Sequence, residues 1–210
     1  MRLPLTRRAA WPRLAGAALA ASGVLWRESA RAGAQVEEPL ADAVRTALSA
    51  SIAASAPPVP VFRDPPARLA YLHWLTEMSV RLSARLHADR ERREFLQTVW
   101  YESRRAELEP ALVLGLIQVE SNFRRYAISR VGARGYMQVM PFWARLIGNG
   151  DASHLFHMQT NLRFGCVILR HYLGQERGDL FMALGRYNGS RGQATYPDAV
   201  QAARRQWLTG

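Results

Sequence analysis

The hydrophobic pattern begins with a stretch in which apolar residues recur at every third or fourth position. The residues that carry it are Leu72, Leu75, Met78, Leu82 and Leu86. This spacing places them along one face of an amphipathic α-helix. Asp64, followed by two prolines, is typical of a helix start, because the acid caps free N–H groups and proline fits the first turn. The pattern predicts a helix that turns these apolar side chains inward.

The same period predicts further helices along the rest of the chain. Their predicted ranges are Arg90–Arg105, Ala111–Glu120, Met137–Ile147, Asn161–Leu173, Leu180–Tyr187 and Asp198–Trp207. The inward face of the first of these is expected to hold Phe95, Leu96, Val99 and Trp100. Strand-like alternation is lacking except for a short hairpin expected near residues 128–136. We therefore predict a mainly α fold, with one domain over residues 67–210, a motif core over 90–200 and a helical extension on its N-terminal side.

A single carboxylate ends the apolar face of the helix predicted before residue 121. Val113, Leu116, Ile117 and Glu120 lie at positions i, i+3, i+4 and i+7, so they share one face. Burial beside aliphatic groups disfavours the ionised carboxylate and should raise the pKa of Glu120. An acid that keeps its proton near neutral pH is suited to general acid catalysis. The alternative interpretation is a helix-terminal acid paired with Arg124.

The stretch that follows Glu120 contains no second acid. Residues 121–150 hold five arginines and no Asp or Glu, and the next acid is Asp151. Chemistry that uses a second carboxylate as nucleophile or base finds none in this stretch. The sequence therefore favours acid–base chemistry by a single carboxyl, although folding can bring in a distant acid. The arginines oppose the effect of burial on the pKa, and they are interpreted as a solvated basic surface, with contact to acidic groups of a partner as the alternative.

The first 34 residues have the pattern of an export signal. Arginines precede a short apolar stretch, Leu14–Trp26, and two Ala-x-Ala cleavage sites follow between Ala30 and Ala34. The apolar stretch is too short for a stable membrane anchor. The pattern leaves Sec and twin-arginine export open. Residues 35–66 are predicted to be an Ala/Ser/Pro-rich linker with a possible helix over Ala41–Ala54, and the role of residues 35–89 stays open.

Charge narrows the class of partner. The chain has 28 basic residues, all arginine, against 17 acidic ones. A basic exported protein suits an acidic polymer such as the cell wall, and no nucleic-acid-binding module is recognisable. Neither a nucleic-acid partner nor a stable membrane anchor is expected. The single cysteine, Cys166, excludes an internal disulfide and is expected to be a small buried residue.

Four motifs then occur in a fixed order. They are ESNF at 120–123, SRVGARGYMQVMP at 129–141, NLRFGCVILRHYL at 161–173 and ALGRYNGSRG at 183–192. Together they resemble the soluble lytic transglycosylase (SLT) family of the goose-lysozyme-like group, over roughly residues 90–200. The resemblance implies a lysozyme-like fold that cleaves peptidoglycan at the MurNAc–GlcNAc bond and forms a 1,6-anhydroMurNAc end. The rival functions are a hydrolytic muramidase of the same fold and a non-catalytic glycan-binding or assembly protein.

The resemblance also implies roles for individual residues. Glu120 corresponds to the single catalytic acid/base. The substrate-binding positions correspond to Ser129, Met137, Gln138, Tyr187 and Asn188. Two positions depart from the family pattern: Tyr136 replaces the Leu of G-L-M-Q, and Arg186 replaces the Ala of A-Y-N. These departures are expected to change the shape of subsites and to leave the chemistry intact.

Gly132 and Gly135 are expected to allow a tight turn and a close approach to sugar. Four aromatic residues are candidates for stacking on sugar faces: Tyr136, Phe142, Trp143 and Tyr187. Phe142 and Trp143 are favoured as core residues instead, and Tyr187 is favoured as the residue of the cleft.

No metal or cofactor is expected. His154 and His157 lack a third ligand at metal-binding spacing. Asp179 of an Arg-Gly-Asp turn is expected to cap the next helix. Export places the protein in the periplasm of a Gram-negative bacterium, with peptidoglycan strands as its partner. Protein partners, oligomeric state, endo or exo action, and a role in wall turnover or in a secretion machine stay open.

Overall fold

The computed structural model describes residues 59–147 and 151–209, together with Thr46. The predicted export signal and most of the predicted linker lie outside the described residues, as does the possible helix over Ala41–Ala54 apart from Thr46. The proposed domain boundary at residue 67 stays a prediction.

The described chain is mainly helical, as predicted. The helices are α1 Pro65–Leu82, α2 Asp89–Arg105, α3 Pro110–Ser121, α4 Pro141–Ile147, α5 Met158–Gln175, α6 Leu180–Asn188 and α7 Thr195–Arg205, with a 3₁₀ helix at Ala152–Phe156 before α5. Extended pairing within the described ranges is limited to isolated antiparallel bridges that join Arg134 to Ile128 and to Val139. The expected hairpin is thus a hydrogen-bonded loop without formed strands.

Helix α3 lies at the centre of the fold and carries the candidate acid in its last turn. Nearly all of its residues are buried. Gly115 lets α7 approach its surface, because a Cβ at this position would lie 2.6 Å from the backbone nitrogen of Arg204. Such a short distance excludes any side chain, so the glycine sets how closely α7 packs on α3.

Two helix starts follow the predicted capping. Asp64 Oδ1 accepts a hydrogen bond of 2.7 Å from the Ala67 N–H at the start of α1. Asp179 Oδ1 accepts one of 3.0 Å from the Met182 N–H at the start of α6. Both predictions are confirmed, since these side chains satisfy first-turn donors that have no partner within the helix.

The buried face of α1 differs from the predicted one. The helix buries Tyr71, Trp74, Met78 and Leu82, whereas Leu72 is 43% exposed. The rings explain the rotation: the centroids of Tyr71 and Trp74 lie 5.3 and 4.9 Å from that of Trp100 in α2. Burial of two aromatic side chains outweighs burial of one leucine. The inward assignment of Leu72 was therefore wrong, while those of Met78 and Leu82 are confirmed.

Helix α4 is shorter than predicted. The sequence suggested a helix over Met137–Ile147, but the observed helix begins at Pro141. Gln138 has a φ of +48°, which a right-handed helix does not allow. The Met137 N–H donates to the Asn161 side chain at 2.8 Å instead of to a helical carbonyl. Residues 137–140 therefore belong to a loop whose apolar side chains imitate a helical pattern.

An ion pair in the interior joins α2 to α5. Glu102 has a side chain that is only 2% exposed, and its Oε1 accepts from Arg163 Nε at 2.9 Å and from Arg163 Nη2 at 2.8 Å. A buried charge of this kind requires its partner. The pair fixes α2 against the helix that carries Asn161.

The C-terminal segment is tied to both α1 and α3. Trp207 is buried, and its Nε1 donates to Gln118 Oε1 at 2.7 Å. Arg81 of α1 donates to the carbonyl oxygens of Gln206 and Leu208 at 2.8 and 3.0 Å. Helix α1 is therefore part of the packed structure and not only a tether.

This packing predicts unequal effects for two substitutions on α1. Met78→Ala should lower the free energy of unfolding by about 2–5 kcal/mol, because it leaves a cavity in the core. Leu72→Ala should change it by less than about 1 kcal/mol, since the side chain is partly in water. Chemical denaturation of both variants provides the measurement. Equal effects would contradict the observed orientation of α1.

Candidate active site

Glu120 lies in the last turn of α3 with its side chain nearly enclosed. The residue is 8% exposed, and its helical neighbours Val113, Leu116 and Ile117 are fully buried. The helix ends directly afterwards, where Asn122 and Phe123 adopt positive φ angles of 48° and 62°. This sharp exit leaves the carboxyl at the end of the helix instead of within it. The predicted burial of Glu120 is confirmed.

The carboxyl of Glu120 has one hydrogen-bond partner in the described structure, and that partner is neutral. Tyr196 Oη donates to Glu120 Oε1 at 2.5 Å. Burial raises the pKa of Glu120 from 4.5 to about 8, and the Tyr196 hydrogen bond opposes this rise. No charged group among the described residues contributes to this change in the pKa of Glu120. The neighbouring arginines therefore do not lower the pKa of Glu120 as expected. Burial is the larger effect, and the pKa is raised.

The alternative pairing of Glu120 with Arg124 is not observed. Arg124 is exposed, and its Nε donates to the Ser121 carbonyl at 3.0 Å. The guanidinium therefore stabilises the end of α3 at a backbone oxygen. Glu120 is not the helix-terminal half of a surface ion pair.

Tyr196 is the site residue that the sequence reasoning missed. It lies in the first turn of α7, 76 positions from Glu120, and it is 9% exposed. Burial raises the pKa of its phenol well above 10, so its hydroxyl stays a donor. The available signal was the run Thr195–Asp198, in which a tyrosine precedes Pro197 at a helix start. Sequence alone does not reveal that this start faces the end of α3.

The loop that contacts the end of α3 is held by two buried polar side chains. Ser121 Oγ donates to the Tyr136 carbonyl at 2.7 Å. Asn161 accepts from the Met137 N–H and donates to the carbonyls of Arg134 and Leu155, each at 2.8 Å. These bonds satisfy backbone groups that the loop would otherwise bury unpaired. Neither residue was singled out from the sequence, although both lie within the quoted motifs.

Gly135 makes the approach of Asn161 possible. Its φ is +77°, and a Cβ there would lie 2.3 Å from Asn161 Nδ2. Any other residue would push the amide away from the loop. The predicted role of Gly135 in a tight turn is confirmed, and its close neighbour in the structure is an asparagine.

Three of the predicted substrate-binding residues are buried in this loop or against it. Met137, Gln138 and Tyr187 are at most 2% exposed. Gln138 Nε2 donates to the carbonyls of Gly135 and Ala127 at 3.0 and 3.2 Å. Tyr187 Oη donates to the Met137 carbonyl at 2.8 Å, and the Glu120 charge contributes to its raised pKa. The structure therefore brings Tyr187 near Glu120.

The positions of Tyr136 and Tyr187 do not agree with the predicted stacking on sugar faces. The ring of Tyr187 is buried, and its hydroxyl bonds to the loop. Tyr136 is fully buried as well. Neither offers an open face for a sugar in this structure. Phe142 and Trp143 are buried core residues, as favoured from the sequence.

Ser129 and Asn188 each make a local hydrogen bond. Ser129 is half-buried, and its Oγ accepts from the Ala133 N–H at 3.0 Å within its own loop. Asn188 is 7% exposed, and its Oδ1 accepts from Ser190 Oγ at 3.0 Å. No hydrogen bond joins Ser129 to Glu120 in the described part of the chain. Their predicted contact with substrate stays a prediction.

Arg186, which departs from the family pattern, has a structural partner. Its Nε donates to Glu176 Oε1, and Arg191 donates to both oxygens of Glu176 at 2.8 and 2.9 Å. The Arg191 and Arg186 hydrogen bonds lower the pKa of Glu176 to about 2. This cluster connects the end of α5 to α6 and to the loop that follows Asn188.

Residues 59–147 and 151–209 contain no group of three or more His, Cys, Asp and Glu side chains placed to hold a metal ion. Within the same ranges, no helix is long and apolar enough to cross a membrane. Cys166 is a free, buried thiol, as expected.

A protein family matches the part of the chain that forms most of the helical fold and carries the enclosed acid. Residues 98–207 match the family model described as the transglycosylase SLT domain. The match covers more than half of the chain and includes α3, the loop, and α5 to α7. The chain therefore belongs to the transglycosylase SLT domain family, which confirms the predicted family and its lysozyme-like fold class.

Relatives with curated names match the same region. A transglycosylase of Enterobacteria phage PRD1 is 34% identical over 103 residues, which are 49% of this chain and 37% of that protein. The membrane-bound lytic murein transglycosylase C of Mannheimia succiniciproducens is 40% identical over 91 residues, or 40% of this chain and 26% of the relative. That of Edwardsiella ictaluri is 29% identical over 140 residues, or 60% and 39%.

The chain spans 26% to 39% of the length of these curated relatives. Among solved structures, an inactive mutant of the lytic transglycosylase Slt from Pseudomonas aeruginosa is 24% identical, with a TM-score of 0.44. It covers 67% of this chain, and the similarity covers 27% of that chain.

The enclosed carboxyl predicts a pH-dependent gain in stability for Glu120→Gln. The pKa of Glu120 is higher in the folded state, about 8, than its ordinary value of 4.5. Wild-type protein should therefore lose stability as the pH rises from about 4.5 to about 8, whereas glutamine does not ionise. At pH 7 the variant should be more stable by up to about 3 kcal/mol, and the difference should vanish near pH 4. Denaturant unfolding at both pH values measures it, and a pH-independent difference would contradict the raised pKa.

Proposed function

We propose that this chain is a lytic transglycosylase that cleaves the bond between MurNAc and GlcNAc in peptidoglycan, with Glu120 as its only catalytic carboxyl. The observation that carries the proposal is the burial of Glu120, which keeps its proton near neutral pH with Tyr196 as its partner. Membership of the SLT family and relatives named lytic murein transglycosylase support the choice of substrate.

In the first step, the protonated Glu120 carboxyl donates its proton to the glycosidic oxygen. The C1–O bond of MurNAc breaks, and the leaving sugar departs with a new hydroxyl. The N-acetyl carbonyl of the same MurNAc supports the positive charge on C1, as in substrate-assisted glycosidases. Burial keeps the Glu120 carboxyl protonated near neutral pH, so the acid form is present when the glycosidic bond breaks.

In the second step, the Glu120 carboxylate takes the proton from the MurNAc 6-hydroxyl. The oxygen then attacks C1 and closes the 1,6-anhydro ring, so no water is consumed and Glu120 regains its proton. Tyr196 donates its hydrogen bond most strongly to the carboxylate that exists between the two steps. The tyrosine therefore limits the cost of the buried anion.

The surroundings of Glu120 favour this route over a two-carboxylate one. A second carboxylate at nucleophile or base distance would raise the pKa of Glu120 by repulsion, yet burial and the Tyr196 hydrogen bond are the only causes of its shift among the described residues. A hydrolase that admits water through the same acid is the remaining enzymatic alternative. The two differ in product mass, because an anhydro end lacks one water.

The other predicted residues are assigned to substrate contact and support. We assign Ser129 and Asn188 to contact with the glycan, as the resemblance to the family implies. Met137, Gln138 and Tyr187 hold the loop in place beneath it. The predicted export signal and the names of the relatives support a periplasmic location, with peptidoglycan strands as the partner.

Glu120→Gln tests the assignment directly. Glutamine keeps the shape of the side chain but has no proton to give, so the release of soluble fragments from purified sacculi should fall by at least about 100-fold. Mass spectrometry of the wild-type products should show anhydro ends. Products with reducing ends would instead identify a hydrolase, and full activity of the variant would exclude Glu120 as the acid.

Tyr196→Phe tests how the acid is tuned. Loss of the hydrogen bond removes the interaction that lowers the pKa of Glu120, so the alkaline limb of kcat/KM should move to higher pH while the maximal rate falls. Tyr187→Phe is the matched control, because that hydroxyl bonds to the Met137 carbonyl and not to Glu120. Its alkaline limb should stay in place. Identical pH profiles for wild type and Tyr196→Phe would refute the tuning.

A further inference from the structure

A second concave surface lies near the N-terminal end of α3, whereas Glu120 lies near the C-terminal end of that helix. It is a groove of about 740 Å³ between residues 59–63 and the C-terminal part of α2. This volume lies within the range that binds small ligands and short peptides. The residues that line the groove come from the segment before α1, from the N-terminal part of α1 and from α2. None of them is Asp or Glu.

The groove is separate from the candidate active site. It reaches Arg104 and Arg105 at the end of α2, which are followed closely by the start of α3 at Pro110. Glu120 lies at the other end of α3, and ten helical residues span about 15 Å. A ligand in the groove would therefore leave the surroundings of Glu120 free.

Both walls of the groove carry apolar side chains, and on one side these are aromatic rings packed on one another. Phe62 packs on Tyr71 at a centroid distance of 5.1 Å, and Tyr71 packs on Trp100 at 5.3 Å. On the other side, Val59 and Val61 are 78% and 93% exposed. Water-exposed aliphatic side chains beside fixed rings can be covered by a ligand with small apolar groups.

The rim of the groove carries an excess of positive charge. The Arg104 guanidinium lies 5.6 Å from the centroid of Trp100, a cation–π contact that holds it over the groove. Arg105 lies 3.7 Å from Glu102, but Glu102 already accepts two hydrogen bonds from Arg163. The charge of Glu102 is thus shared between two arginines, and the structure gives Arg104 no carboxylate partner within the described ranges.

We propose that this groove binds the acidic stem peptides of peptidoglycan, and this proposal rests on the function proposed above. Such a peptide alternates methyl groups with carboxylates. The methyl groups match the walls formed by Val59, Val61 and Trp100, and the carboxylates match the guanidinium groups of Arg104 and Arg105. The groove is a second wall-binding site that holds the substrate by its peptide while Glu120 cleaves the glycan.

The binding measurement uses the full chain and a free tetrapeptide, L-Ala–γ-D-Glu–meso-diaminopimelate–D-Ala, by calorimetry. Wild-type protein should bind it, and Arg104→Glu/Arg105→Glu should bind at least tenfold more weakly. Arg145→Glu/Arg205→Glu is the matched control: its arginines also lie in the last turns of helices, and the change in net charge is the same. The control should stay within twofold of wild type. No binding to wild type, or equal losses in both variants, would overturn the proposal.

A second pair of variants tests the apolar wall. Val61→Asp should weaken tetrapeptide binding by repulsion of its carboxylates, and the fold should be kept because the side chain is 93% exposed. Ile128→Asp places the same charge at another exposed aliphatic position, 65% exposed, and should leave binding unchanged. Equal binding by wild type and Val61→Asp would remove the wall from the site.

Activity assays separate this proposal from the proposed function. Arg104→Glu/Arg105→Glu should cleave peptide-free glycan strands, prepared with an amidase, at the wild-type rate, and intact sacculi more slowly. If no glycan cleavage occurs with wild type while the tetrapeptide still binds at the groove, the proposed function fails and the peptide site stands. If cleavage occurs and the tetrapeptide does not bind, the peptide site fails alone.

Discussion

The structure depends on the enclosure of one carboxyl, that of Glu120, whose partner is a phenol instead of a cation. A guanidinium in the place of Tyr196 would keep the acid ionised, and a site open to water would do the same. Burial raises its pKa to about 8, and the Tyr196 hydrogen bond limits that rise. With these two opposing effects on its pKa, the Glu120 carboxyl can donate a proton near neutral pH and accept one afterwards.

The rest of the fold keeps that balance in place. Gly115 brings α7, and with it Tyr196, against α3. Asn161 and Ser121 hold the loop over residues 134–137 by satisfying its buried backbone groups. Helix α1 lies outside the matched family region, yet Arg81 ties it to the C-terminal segment that follows α7. The extension therefore supports the same helix that supplies the partner of Glu120.

The sequence predicted what depends on local periodicity and capping, and it failed where two arrangements share one local pattern. Glu120 was found because a helical period places it among aliphatic residues, and Asp64 and Asp179 because caps act within one turn. Tyr196 was missed because its contact is long-range. The α1 face was misassigned because that helix is apolar on two sides, so that only the rings of α2 decide which side is buried. Met137–Met140 looked helical because a buried loop is apolar too.

The most direct test of the central claim is a carbon-13 NMR titration of the Glu120 carboxyl in the folded protein, assigned by comparison with Glu120→Gln. The account predicts a single transition with a midpoint near 8, well above the ordinary 4.5 of a glutamate. A midpoint near 4.5 would show that the carboxyl is ionised at neutral pH, and it would contradict the role of Glu120 as the proton donor.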